Sequence, residues 1–102
     1  MSVYAVSFRI HEDSTYRTRY DSFTGQLQQG SKRHWDETTS FALVETDETI
    51  DVFCSRIYVH SGFDSSKDLY LVLDTTKLSA RVRGQVKYPH TLQSLLPHLV
   101  KL

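Results

Sequence analysis

The sequence predicts an α+β domain whose elements run strand, helix, strand, strand, helix, strand, with further elements in the C-terminal tail. Three observations carry that expectation. Short β-branched and aromatic runs alternate with segments of helical period, no apolar run approaches the ~20 residues of a membrane span, and 102 residues suit one core. The hydrophobic and charged fractions, 39% and 24%, exclude both a disordered and a membrane-embedded chain.

The first strand is Val3-Tyr4-Ala5-Val6-Ser7-Phe8-Arg9-Ile10, rich in the side chains that fit a pleated sheet. The polar run His11-Glu12-Asp13-Ser14 follows, with Asp13 or Ser14 as the expected N-cap of a helix. Tyr16, Tyr20, Phe23 and Leu27 recur at the spacing of one helical face, and Gly30 is the expected stop. An interior glycine, Gly25, weakens that helix by about 1 kcal/mol relative to alanine. Residues 32–44 then have to supply two strands, with a turn expected at Asp36-Glu37.

Thr46 is the expected cap of a second helix, with Asp47 and Glu48 in a first turn where acids favour the helix dipole. Its buried stripe is Ile50, Phe53, Cys54 and Ile57, and Gly62 is its expected end. Leu69-Tyr70-Leu71-Val72-Leu73 is a buried strand, and Leu78, Ala80 and Val82 alternate with Ser79, Arg81 and Arg83 as a further strand with one wet, basic face. Leu92, Leu95, Leu96, Leu99 and Val100 trace a helical stripe that Pro97 interrupts. This order is that of a ferredoxin-like β-α-β-β-α-β sandwich over residues 1–86, with an extra strand near its end and a short amphipathic helix in an extension over residues 87–102.

Charge is unevenly spread. Residues 1–74 carry seven basic and twelve acidic side chains, a balance of −5, whereas residues 75–102 carry five basic side chains and no acid. Such a tail contacts phosphate, or it docks on the acidic body of its own chain or of a partner. Arg81, Arg83 and Lys87, with Tyr88 as a stacking surface, are the candidates for the first reading. The plainer reading of these residues is an edge strand that uses its charges against unwanted pairing. Cys54 is the only cysteine, and Met1-Ser2-Val3-Tyr4 lacks the basic and apolar regions of a secretion signal, so a cytoplasmic protein is expected.

Tyr4-Ala5-Val6-Ser7-Phe8-Arg9-Ile10-His11, with His34-Trp35-Asp36-Glu37-Thr38-Thr39-Ser40-Phe41 further on, resembles the SinR-like and virulence-associated protein D-like ferredoxin-fold family. That family is related to the small subunit of the CRISPR spacer-integration complex. The resemblance covers about residues 3–83, and it implies a homodimer in which the sheets of two subunits meet across a two-fold axis. In nuclease members a first-strand aspartate from each subunit faces that axis and helps to hold a divalent metal. Here Arg9 stands in that place, and a guanidinium has no lone pair to give a cation.

Three readings follow. In the first, a non-catalytic dimer binds nucleic acid or a nucleic-acid-binding partner, with Arg9 in an anion site; the plainer role for Arg9 is an ion pair with Asp36 or Asp74. In the second, an antitoxin-like regulatory subunit docks a partner protein through the leucine stripe. In the third, a Mg²⁺-dependent endoribonuclease uses His11 and Asp13 for catalysis. His11 with Asp13 and His34 with Asp36 are each spaced to put two ligands on one side of an extended chain, but two ligands do not make a metal site. No serine stands in a nucleophile motif, and Cys54 on a buried stripe is an inert core thiol. No cofactor is expected outside the nuclease reading.

Overall fold

The structure, a computed structural model, describes residues 1–102. Its strands are β1 (Ser2–Arg9), β2 (Arg33–Trp35), β3 (Phe41–Thr46), β4 (Leu69–Asp74), β5 (Ala80–Gly84) and β6 (Leu99–Lys101). The helices are α1 (Tyr16–Gln28), α2 (Ile50–Val59) and α3 (Pro89–Leu95). All six strands form one mixed sheet in the order β2-β3-β1-β4-β5-β6, antiparallel throughout except for the parallel pair β5–β6. No helix is long and apolar enough to cross a membrane.

The architecture is thus α+β, but the sheet is longer than the four strands of the expected sandwich. β5 continues past β4, and β6 closes the edge. The C-terminal stripe is not one helix. α3 stops at Leu95, and after Pro97 the chain pairs with β5 as β6, since proline cannot donate the next helical hydrogen bond.

Alternation along the strands gives the sheet two different faces. Tyr4, Val6 and Phe8 of β1, with Tyr70 and Val72 of β4, point toward α1 and α2 and join Phe23, Phe53 and Ile57 in the main core. Phe63, which follows α2, completes it, with its ring centroid 5.5 Å from that of Phe23 and 5.0 Å from that of Tyr70. On the other face, Ala80, Val82 and Leu99 form a small second core with Leu69, Leu71 and Leu92 beneath α3. The outer faces of β1, β3 and β2 belong to neither core. There Val3, Ala5, Phe41 and Leu43 stay half-exposed, and Trp35 is 40% exposed.

Several ends differ from expectation, each for a local reason. Thr15, not Asp13 or Ser14, precedes α1, and the Asp13 carboxylate accepts the Thr15 N–H and hydroxyl. Gln29, one residue before Gly30, ends that helix. Thr49, not Thr46, caps α2 by accepting from the Val52 N–H at 3.3 Å, because Thr46 still belongs to β3. Asp51 therefore replaces Asp47 and Glu48 in the first turn, and His60 rather than Gly62 ends the helix. The β2–β3 turn spans residues 36–40 instead of the tight turn expected at Asp36-Glu37. Leu78 lies in the β4–β5 turn and is 82% exposed.

Gly84 at the end of β5 is required by its surroundings. Its φ is +109°, and a Cβ there would sit 1.9 Å from the Asp68 carbonyl oxygen. That close approach presses the end of β5 against the residue on which the next group of contacts is built.

Candidate nucleic-acid interface and the charge network beside it

Asp68 precedes β4 and is fully buried. A buried carboxylate is tolerable only when donors surround it, and this one is surrounded. Arg19 donates to both oxygens at 2.6 and 2.5 Å, and the backbone N–H groups of His11 and Asp64 donate at 2.8 Å each. Arg19 also donates to the His11 carbonyl at 2.7 Å and to Asp13 Oδ1 at 3.1 Å. Lys67 closes the ring on Asp13 Oδ2 at 2.6 Å.

Both residues proposed for catalysis take part in these contacts. His11 enters the network through its backbone alone. The Lys67 ammonium, with further donation from Thr15 and Arg19, holds the Asp13 carboxyl well below the usual carboxylate range. Such a carboxylate is a poor base. A divalent cation at Asp13 would have to displace Lys67 and face Arg19, so the residues present do not fit a metal ion. No three His, Cys, Asp or Glu side chains converge anywhere in the chain.

Arg81 and Arg83 leave the basic face expected of them, because alternation turns both toward α2. Arg81 pairs with Asp51 at 2.7 Å, and Asp51 is lowered by that contact. The Arg83 guanidinium lies 4.0 Å from the centre of the Tyr58 ring and donates to the Tyr70 hydroxyl at 2.9 Å. Burial pushes the Tyr70 phenol up, so it stays protonated. Both arginines brace β5 against α2, Arg81 through an acid and Arg83 through tyrosines.

Arg9 and Lys87 are different. Arg9 is exposed on the outer face of β1, and its guanidinium donates to the Gln85 carbonyl at 3.2 Å. It pairs with neither Asp36 nor Asp74: Asp36 accepts from Gln28, and Asp74 accepts from Thr76. Lys87, also without an acid partner, lies 5.3 Å from the Tyr88 ring centre. The two cations line one groove of about 380 Å³ between β1 and α3. Its floor is Leu69, Leu71 and Val82, α3 forms one wall, and no acid lines it.

Of the four cations proposed for anion binding, the fold therefore brings two together and turns two against its own helix. The leucine stripe is also divided. Leu92, Leu96 and Leu99 face the second core, whereas Leu95 is 72% and Val100 46% exposed. Cys54 is buried, and burial pushes its thiol up to about 12.

The Arg19–Asp68 pair went unread in the sequence, although half of it left a signal. Arg19 sits three residues after Tyr16 and four before Phe23, on the apolar face of α1. A charge on that face requires a buried partner. Nothing local identifies the partner 49 residues away. Compared with protein-family models, characterised proteins and solved structures, the chain matches none.

Proposed function

We propose that this chain is a non-catalytic nucleic-acid-binding protein, a ferredoxin-like domain that works as a homodimer in the cytoplasm. The observation that carries the binding reading is the groove between β1 and α3. Two cations without acid partners, a nearby exposed tyrosine and an apolar floor are what a single strand needs for its phosphates and bases.

The remaining parts of the proposal have their own support. Within the sheet, β2-β3-β1-β4 with α1 and α2 on one face fits a ferredoxin-like core to which β5 and β6 are added. The half-exposed apolar surface of β1, β3 and β2 suits a second copy meeting sheet to sheet, since a domain this small gains stability from added burial. A single buried thiol suits a reducing compartment. The non-catalytic part rests on Asp13, whose two oxygens are already taken.

The test is a titration of single-stranded RNA and DNA oligonucleotides at about 50 and about 200 mM salt. Two phosphate contacts give a slope of about −1.4 in log–log form, or an affinity loss of about sevenfold across that range. A dimer engaging both grooves loses about fiftyfold. No binding at the lower salt would sink the proposal. Light scattering at micromolar concentration tests the dimer separately, and a monomer there removes it.

A further inference from the structure

The groove between β1 and α3 carries its charge at one end. Arg9 sits opposite Leu69, the first residue of β4, and reaches the Gln85 carbonyl, two residues before Lys87. Beyond these cations the floor is hydrocarbon. Leu69 and Leu71 line the groove, and Leu73, the next outward residue of β4, lines a second cavity of about 210 Å³. Leu95, at the end of α3, lines both cavities, so the two continue one another past the helix.

From Leu69 to Leu73 this trough runs about 13 Å, the rise of four strand residues. Its leucines are not fully covered: Leu95 is 72% exposed, and Leu78, at the far end, is 82% exposed. Exposed apolar side chains gathered in a concave surface mark a binding site. Ser7, Tyr88 and Thr91 supply the only hydroxyls in the groove, and no carboxylate lines it. The first acid is Asp74, beside Lys77 in the far cavity. The trough is thus cationic at the Arg9 end and apolar along its length, with an acid only where it finishes.

A nucleic-acid strand carries a phosphate on every nucleotide, and only one end of the trough can answer it. The charge distribution as a whole complements an anionic head on a linear apolar tail. Arg9 suits a carboxylate head, because its guanidinium gives one hydrogen bond, at 3.2 Å, to a neutral carbonyl and has other N–H groups to offer.

We propose that the trough binds a free medium-chain linear carboxylate, with its head at Arg9 and Lys87 and its tail along the β4 leucines toward Leu95. Such a ligand occupies the floor that a single strand needs and displaces it. The binding stands by itself, whereas the displacement rests on the nucleic-acid reading.

The experiment titrates the full ¹⁵N-labelled chain with hexanoate, octanoate, decanoate and 1-octanol, each below the concentration at which it aggregates. The amide signals of Ser7, Leu71, Thr91 and Leu95 are followed by NMR. The carboxylates are expected to move them, with affinity rising about threefold for each added methylene. Octanol, which lacks the charge, should bind about tenfold more weakly than octanoate. Arg9→Gln/Lys87→Gln should bring octanoate down to the level of octanol. Ser7→Phe, which fills the groove from an exposed floor position, should weaken both. No movement of these signals, an affinity independent of chain length, octanol binding as tightly as octanoate, or octanoate affinity unchanged in the double variant overturns the assignment.

A competition then separates the two readings. Decanoate should release a bound oligonucleotide, and simultaneous binding of both overturns the shared groove. Oligonucleotide binding without any carboxylate binding overturns this inference alone. Carboxylate binding with the expected chain-length and charge dependence, in a chain that binds no oligonucleotide, upholds the site and overturns the nucleic-acid reading.

Discussion

Two charged regions lie side by side where β1 ends and β4 begins, and they behave in opposite ways. In the Asp68 network every charge is paired: Asp68 is ringed by donors, Asp13 is shared by Lys67 and Arg19, and both positive groups point inward at carboxylates. In the groove, Arg9 and Lys87 line an apolar floor; Arg9 donates to the Gln85 carbonyl and Lys87 lies near the Tyr88 ring. Both regions contain two cations. What separates structural charge from available charge is a partner within reach, an acid for Arg19 and Arg81 and tyrosines for Arg83, and sequence position says little about that.

Substitutions test this contrast, and Asp68→Ala should have the largest effect. It strands Arg19 and two backbone N–H groups in a buried site, which costs about 3–5 kcal/mol. A domain of this size should then melt more than about 10 °C lower. The Cys54 thiol, unreactive in the folded chain, reports the opening: thiol labelling should be faster in Asp68→Ala than in wild type. A melting point within about 2 °C of wild type would mean that the network is ornamental.

Arg83→Ala comes next. It removes a guanidinium packed on Tyr58 and hydrogen-bonded to Tyr70, at a cost of about 1–2 kcal/mol in urea unfolding. Oligonucleotide affinity should be unchanged. An Arg83→Ala variant of normal stability and weakened binding would move this arginine from the braces to the binding surface.

Acid tests the paired charges more gently, in the Asp68 network and in the Glu48–Arg56 pair. Asp13 and Glu48, with ordinary values of 3.8 and 4.5, are both lowered in the folded chain, chiefly by Lys67 and by Arg56. Their stabilising contribution is therefore complete above about pH 4.5 and is lost as pH falls through the lowered folded-state values. Urea midpoints should be flat from pH 7 down to about 5 with respect to these groups and fall below 4.5. A midpoint that rises on acidification would contradict the direction of both shifts.

The smallest effect on stability belongs to Arg9→Glu/Lys87→Glu, which should stay within about 0.5 kcal/mol of wild type because neither side chain braces the fold. Its effect falls on binding, where the salt slope should shrink by about 0.7 for each phosphate that the variant no longer neutralises. Loss of stability comparable to Arg83→Ala would mean that these cations brace the fold after all.

The sequence by itself determined the local elements. The alternation of Tyr4, Val6 and Phe8 made β1, the stripe Ile50, Phe53, Cys54 and Ile57 made α2, and Leu69–Leu73 made β4, because strand and helix periods act over a few neighbouring residues. Of the candidate binding cations, Arg9 was singled out by the resemblance of the first strand to a ferredoxin-fold family, and Lys87 by the charge imbalance of the tail. Only the tertiary structure decided that Arg19 meets Asp68, that Arg81 and Arg83 turn toward α2, that Pro97 divides the leucine stripe between α3 and β6, and that Asp13 is fully engaged. Those outcomes depend on partners 13 to 54 residues apart. Which distant charge a side chain meets is set by strand order and register, and neither is written in the spacing of nearby residues.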